Sequence, residues 1–277
     1  MSQHPWISVR VVPSGSAAVA SAAMFDAGSQ GVLEDGAALV SHFPTRADAD
    51  AAAAAVRRVD PGAEITFGEV PPIDWTEAWK DHVRAFECGV LTVAPPWLME
   101  GRDPARTIII TPGMAFGTGD HPTTRGVLRL LPAVIRAGDV VADLGAGSAV
   151  LAIGAVKLGA ARVAAIEMDP EAIADAEENA RVNGVAHAVT VIQADANLAL
   201  PLVAPVRVII ANIISSVLVE LLPAMRDALP ADGVAVLSGI LYEERESLLQ
   251  VLAAEGWQVT AEDVERPWWS CRIERAS

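Results

Sequence analysis

The chain is predicted to fold as α/β: a Rossmann-like, mostly parallel sheet with an antiparallel edge hairpin, preceded by a small ferredoxin-like α+β unit. Three observations predict it. From residue 137 onward, short apolar runs alternate with helical patterns, the signature of parallel strands joined by crossover helices. The first 70 residues read instead as β-α-β-β-α-β, the order of a split βαβ module. The last two strand patterns have no helix between them, so they close as a hairpin on one edge.

In order along the chain, residues 6–12 alternate as a strand and 16–27 carry helix-forming alanines after a Ser/Gly start. Strands over 31–34 and 38–43 flank Asp35-Gly36, a hairpin turn signal. Thr45 caps a helix over 47–59 whose alanine run is the small-residue face of a packed element, and Asp60-Pro61-Gly62 ends it. A strand over 64–70 completes this unit. Pro71-Pro72 stiffens the chain and closes it off. A linker helix is expected within 71–88, with Trp75 and Trp79 one turn apart on one face. The remaining residues, 89–277, form the larger domain. Its strands are expected over 140–144, 162–167, 189–193, 206–211 and 233–238, with helices over 148–158, 170–183, 216–229 and 243–255. The hairpin takes 257–264 and 268–274.

Composition narrows the function classes. Of 277 residues, 52% are apolar and 20% charged, enough for a sizeable core and against disorder. The formal charge of −15 repels phosphate backbones, so no direct nucleic-acid binding is expected, whereas a basic protein partner is allowed. Cys88 and Cys271 have no companion at metal or disulfide spacing, so no metal is expected and a reducing cytoplasm is the default. The opening residues lack a signal-peptide pattern, and no apolar run is long enough to span a membrane. The protein is expected to work as a cytoplasmic monomer.

The chemistry concentrates in five places. Asp143-Leu-Gly-Ala-Gly-Ser-Ala149 follows a strand and opens a helix, with Gly145 and Gly147 letting the backbone turn sharply against a ligand. A dinucleotide fingerprint would need Gly or Ala at 150, where Val150 stands. Asp143 ahead of the turn suits the adenosylmethionine variant, D/E-x-G-x-G-x-G, and a generic α/β turn is the plain alternative. Glu167, 20 residues past Gly147, ends the next strand, where a carboxylate can accept both ribose hydroxyls. Asp195 follows the third strand and is either an acceptor for the adenine amine or a solvated loop acid. Asn212 ends the fourth strand and either orients a substrate amine with its neutral amide or caps a helix. Ahead of the sheet lies Pro112-Gly-Met-Ala-Phe-Gly-Thr-Gly-Asp-His-Pro-Thr-Thr124, a polar glycine-rich loop ending on a helix. It has no Lys and no P-loop spacing, so phosphate binding is poorly supported.

The stretches PGMAFGTGDHPTT, VADLGAGSAVLAIGAVKLGA, IEMDP, VIIANI and LSGIL, with DWTEAW upstream, closely resemble the ribosomal protein L-eleven methyltransferases, the PrmA family. The resemblance spans essentially the whole chain. It implies a class I methyltransferase domain using S-adenosyl-L-methionine, and an N-terminal domain, residues 1–70, that recognises the substrate protein. The implied reaction is methylation of amino groups of ribosomal protein L-eleven, its lysine side chains and its N-terminal amine. The alternative is a related methyltransferase acting on another protein's lysines or on a small amine.

Carried over by position, the family's cofactor contacts fall on Thr124, Gly145, Glu167 and Asn212. Gly147, Asp195, Phe116, Gly117 and Thr118 are further candidates for cofactor contact, Phe116 being open between a wall of the methyl-transfer pocket and a core ring. Asn212 and His121 are the catalytic candidates. His121 is open between a general base and a residue that pins the loop. Glu167 stands where the family more often has Asp, Ala149 where it has a third glycine, and Asp120 where residues vary. None of these removes a necessary group.

Overall fold

The computed structural model describes residues 6–29, 31–70, 83–111 and 119–276, and divides the chain into two units, Met1–Val83 and Arg84–Ser277. In the first, β1 (Trp6–Val12) buries Ile7, Val9 and Val11 and turns Trp6 and Arg10 outward. That period of two is what one covered face requires. It pairs antiparallel with β3 (Ala38–Phe43) and β4 (Glu64–Val70), and β2 (Leu33–Asp35) adds beyond β3. The strand order is β2-β3-β1-β4. Helices α1 (Ala17–Asp26) and α2 (Arg46–Val59) supply the rest of this core. Thr45 caps α2 by accepting the Asp48 N–H at 3.2 Å, and Ala49, Ala52, Ala53 and Ala55 are buried, so the alanine run is a packing face. The element order is the one expected from sequence.

The second unit starts earlier than the sequence suggests. The linker helix expected over 71–88, with Trp75 and Trp79, lies mostly outside the described residues. Its last three, Phe86–Cys88, are a strand (β5), not helix. They pair antiparallel with β6 (Leu91–Ala94), which runs parallel to β7 (Thr107–Ile109). Cys88 and Leu91 belong to the same buried cluster as Val141 and Val208 of the main sheet, which is why this segment joins the larger unit.

The main sheet has the order β10-β9-β8-β11-β12-β14-β13. Strands β8 (Val140–Leu144), β9 (Arg162–Glu167), β10 (Val189–Gln193), β11 (Val208–Asn212) and β12 (Val234–Leu241) are parallel. The hairpin of β13 (Trp257–Glu265) and β14 (Trp268–Arg275) enters through β14, antiparallel to β12. Both faces are covered, so successive residues of a central strand go to opposite cores. Val208 and Ile210 pack with residues of α3 (Pro122–Leu130), α4 (Val150–Lys157) and α5 (Pro170–Val182). Ile209 and Ala211 pack with α6 (Ala196–Val203), α7 (Ser215–Ala228) and α8 (Arg245–Ala254). Helix α6 is not among the elements expected from sequence, where Pro201 within a mostly apolar run argues against a helix. The order of strands reverses between β8 and β11. The crevice at their carboxyl ends is therefore where such a sheet receives a ligand.

Candidate functional site

Five of the residues singled out from sequence come together there. Gly145 and Gly147 after β8, Glu167 at the end of β9, Asp195 after β10 and Asn212 at the end of β11 line one cleft of about 490 Å³. The turn after β8 holds its shape through its own hydrogen bonds. Gly145 and Ala146 donate to the Ile166 carbonyl at 2.9 and 3.1 Å, and Gly147 donates to Glu167 Oε2 at 2.8 Å. Gly145 has φ +69°, and a Cβ there would lie 2.5 Å from Ile213 Cγ2, so another residue would be strained and would displace the Ile213 side chain. Glu167 Oε1 accepts from the Asp169 N–H at 2.9 Å. The carboxylate thus clasps two backbone N–H groups, and roughly two of its four lone-pair sites are left for a ligand.

Asp143 lies beneath the turn, wholly buried, with Oδ2 accepting from the Ala152 N–H at 2.9 Å and Oδ1 without a protein partner among the described residues. Burial pushes its carboxyl up to about 7, opposed by the Ala152 bond and reinforced by the charge of Glu167. Asp195 is exposed and caps α6 through the Asn197 N–H at 2.7 Å, and it also lines the cleft.

Asn212 is half-buried and does not cap α7, whose N-cap is Ile214 with no side-chain bond. The LSGIL stretch explains how its loop is held. Ile213 donates to the Ser238 carbonyl at 3.2 Å, and Gly239 has φ +83° with its Cα against the Ile213 peptide. A Cβ there would sit 2.5 Å from the Ile213 carbonyl oxygen, so glycine is required. Glu244 ties the two loops together, accepting from Ser215 Oγ at 2.5 Å and from the Leu241 N–H at 2.9 Å.

His121 and Thr124 stand at the start of α3. His121 Nδ1 lies 2.7 Å from Thr123 Oγ1 and accepts weakly from the Thr123 N–H at 3.4 Å, so the imidazole caps the helix. Its ring meets Trp268 edge-on at 4.9 Å. Burial holds its pKa below the ordinary histidine range, with Asp120 opposing. Thr124 is fully buried and its hydroxyl has no protein partner among the described residues. The start of α3 is anchored on two sides. Ser238 Oγ donates to the Thr123 carbonyl at 3.2 Å and accepts from Ser270 Oγ at 2.7 Å. Arg125 bonds the Asp120 carbonyl and pairs with Glu265, while Arg129 bridges Asp263 at 2.5 Å and Glu265 at 2.9 Å. Phe116, Gly117 and Thr118 lie outside the described residues.

Sequence reasoning missed the apolar side of the cleft, formed by Met168, Ile213, Ile214 and Val217, and the carboxylate of Glu220 among its lining. Met168 is 70% exposed. A large apolar side chain beside the acidic end of a strand was the available signal.

Comparison with known proteins gives the arrangement a lineage. The family model described as "Ribosomal protein L11 methyltransferase (PrmA)" matches residues 8–276. The ribosomal protein L11 methyltransferase of Thermus thermophilus is 35% identical over 246 residues, 88% of this chain and 90% of its own length. That of Lacticaseibacillus paracasei is 38% identical over 205 residues, covering 73% of this chain. The chain spans 64% of the length of the L. paracasei and Carboxydothermus hydrogenoformans relatives. A crystal structure of ribosomal protein L11 methylase from Lactobacillus delbrueckii subsp. bulgaricus is similar with a TM-score of 0.63 and 30% identity, covering 70% of this chain and all of that one.

Proposed function

The chain belongs to the ribosomal protein L11 methyltransferase family, and from that premise we propose that it transfers methyl groups from S-adenosyl-L-methionine to amino groups of ribosomal protein L11. The acceptors are its lysine side chains and its N-terminal amine, modified in the cytoplasm. The observation that carries this is the convergence of Gly145, Gly147, Glu167, Asp195 and Asn212 on one cleft at the reversal point of the sheet.

The residues present fit the cofactor. Glu167 keeps acceptor capacity for a ribose diol after clasping Gly147 and Asp169, and Asp195 faces the cleft as an acceptor for an exocyclic amine. When bound, adenosylmethionine supplies a methyl group already activated by its sulfonium.

The protein's share is alignment and a neutral nucleophile. A lysine amine has a pKa of about 10.4 in water, so most of it is protonated at neutral pH. Packing of the amine against Ile213 and Val217 disfavours the ammonium form, while the carboxylates of Glu167, Asp195 and Glu220 in the same lining favour it, so the amine must reach the methyl group on the apolar side of the cleft. Asn212 carries a donor and an acceptor but no charge, so it orients the amine without favouring its protonated form. His121 serves to hold the start of α3, and the proton leaves to water. The N-terminal unit supplies the docking surface for the protein substrate, which a small acceptor would not need.

The test is incubation of the full chain with labelled adenosylmethionine and total ribosomal proteins, read by mass. Ribosomal protein L11 is expected to gain methyl groups, and a chain lacking residues 1–70 is expected to bind adenosylmethionine but leave L11 unmodified. Labelling of a different protein, with L11 untouched, would overturn the substrate assignment.

A further inference from the structure

Asn179 on α5 is 2% exposed and does not line the cleft, yet its amide joins the glycine turn to the chain at Thr111. Nδ2 donates to the Ser148 carbonyl at 3.1 Å, and Oδ1 accepts from the Thr111 N–H at 3.2 Å. A carbonyl only accepts and a backbone N–H only donates, so the two partners dictate which way the amide faces. Ionised aspartate could only accept at this place, and leucine could do neither. One helical turn on, Asn183 repeats the grip on the neighbouring residue. Its Oδ1 accepts from the Ile109 N–H at 2.9 Å, and Nδ2 donates to the Ile109 carbonyl at 2.6 Å. The two asparagines set α5 in register against residues 109–111.

The peptide that Asn179 holds is the strained point of the glycine turn. Ala149 has φ +62° and ψ +17°, the only non-glycine residue with positive φ among the described residues. Left-handed backbone is unfavourable for any residue with a Cβ. The Ser148–Ala149 peptide is gripped at both ends, its carbonyl by Asn179 and its N–H by the Ala146 carbonyl at 2.8 Å.

We propose that Asn179 is a positioning residue for the cofactor turn: it holds the Ser148 carbonyl against the chain at Thr111 and so keeps Ala149 left-handed, in the conformation that shapes the turn. This rests on the reading that the turn binds adenosylmethionine. The tests are calorimetry, steady-state kinetics and amide hydrogen exchange on the full chain, with Asn179→Asp and Asn179→Ala each made with and without Ala149→Gly. Asn179→Asp keeps the acceptor for Thr111 and removes the donor, and Asn179→Ala removes both without adding charge. Each is expected to raise the Kd and KM for adenosylmethionine about tenfold, the effect of losing the one buried hydrogen bond to the turn at Ser148, with kcat at saturation changed less than twofold. With Ala149→Gly present, the same replacements are expected to raise Kd less than threefold, because glycine holds the left-handed conformation unaided. In the ligand-free chain, exchange at residues 147–149 is expected to quicken about tenfold while Val236 in the sheet is unchanged. An equal Kd cost with and without Ala149→Gly, or unaltered exchange at 147–149, would overturn the proposal. If the wild-type chain fails to bind adenosylmethionine, the functional reading falls and the exchange experiment alone decides the role of Asn179.

Discussion

Replacing Glu167 by glutamine preserves the length of the side chain while removing its charge and one of its acceptor oxygens. Both carboxylate oxygens are in use, Oε2 on the Gly147 N–H at 2.8 Å and Oε1 on the Asp169 N–H at 2.9 Å. Glutamine has one carbonyl oxygen, so one of these N–H groups must face an amide donor. A hydrogen bond to a charged acceptor contributes roughly 1.5–3 kcal/mol, and at a half-buried site solvent screening favours the lower end. Weakening one charge-assisted bond to a ribose hydroxyl by that amount corresponds to a rise in the Kd for adenosylmethionine of about tenfold for Glu167→Gln. Glu167→Ala removes the clasp on the turn and every ribose acceptor together, for about a hundredfold. Glu167→Asp keeps the charge but shortens the reach to Gly147, and its affinity is expected between wild type and Gln. A second signature follows from the charge itself. Burial and the charge of Glu167 both hold the Asp143 carboxyl up near 7, so Glu167→Gln should lower that pKa. Calorimetry on the four chains and carboxyl NMR on Asp143 read the two effects. An alanine variant that binds adenosylmethionine within twofold of wild type would refute the ribose assignment and leave Glu167 as a turn clasp only.

Three further outcomes follow from the same geometry. Asn212→Ala should lower kcat more than it raises the KM for the protein substrate, and Asn212→Asp should recover activity as pH rises, because a carboxylate favours the ammonium form of the acceptor; a flat pH–rate comparison between Asp and Asn would count against this role. His121→Asn should keep kcat within a few-fold and His121→Ala should cost about 1 kcal/mol of stability, since Asn can cap α3 and Ala cannot; equal collapse of kcat in both would identify a general base instead. Asp143 keeps its proton in the folded chain up to about 7, whereas the unfolded carboxyl loses it near 3.9, so the folded state binds the extra proton between those values. Stability measured by urea unfolding should therefore fall as pH rises from about 4 to 7, by at most roughly 3–4 kcal/mol, then level off. Asp143→Asn should abolish this part of the slope, and an unchanged slope would show that the carboxyl ionises normally.

Much of the site is legible in sequence because its parts are local. The glycine turn, the acidic residue 20 positions on and the asparagine at a strand end are each set by a few neighbouring residues, and alternating apolar runs locate the five parallel strands. Short-range patterns also locate the capped helix after Thr45 and the closing hairpin. What sequence hides is whatever depends on partners far along the chain. The segment of Phe86–Cys88 reads as the tail of an amphipathic helix until Leu91 and the main core claim it as a strand. Helix α6 forms despite Pro201 because buried Ala199 and Leu200 pack with the core on one face of the sheet. Gly239 looks like an ordinary turn glycine, and only the approach of the Ile213 carbonyl shows why a Cβ is excluded. Asn179 carries no motif at all, and its role exists only once folding brings Thr111 and Ser148, 68 and 31 residues away, to the two ends of one amide. Local pattern sets which residue types can bind, and the tertiary contacts decide which of them meet. A hydrogen bond needs its donor and acceptor within about 3 Å, and the chain achieves that between distant residues only by burying its apolar faces against one another.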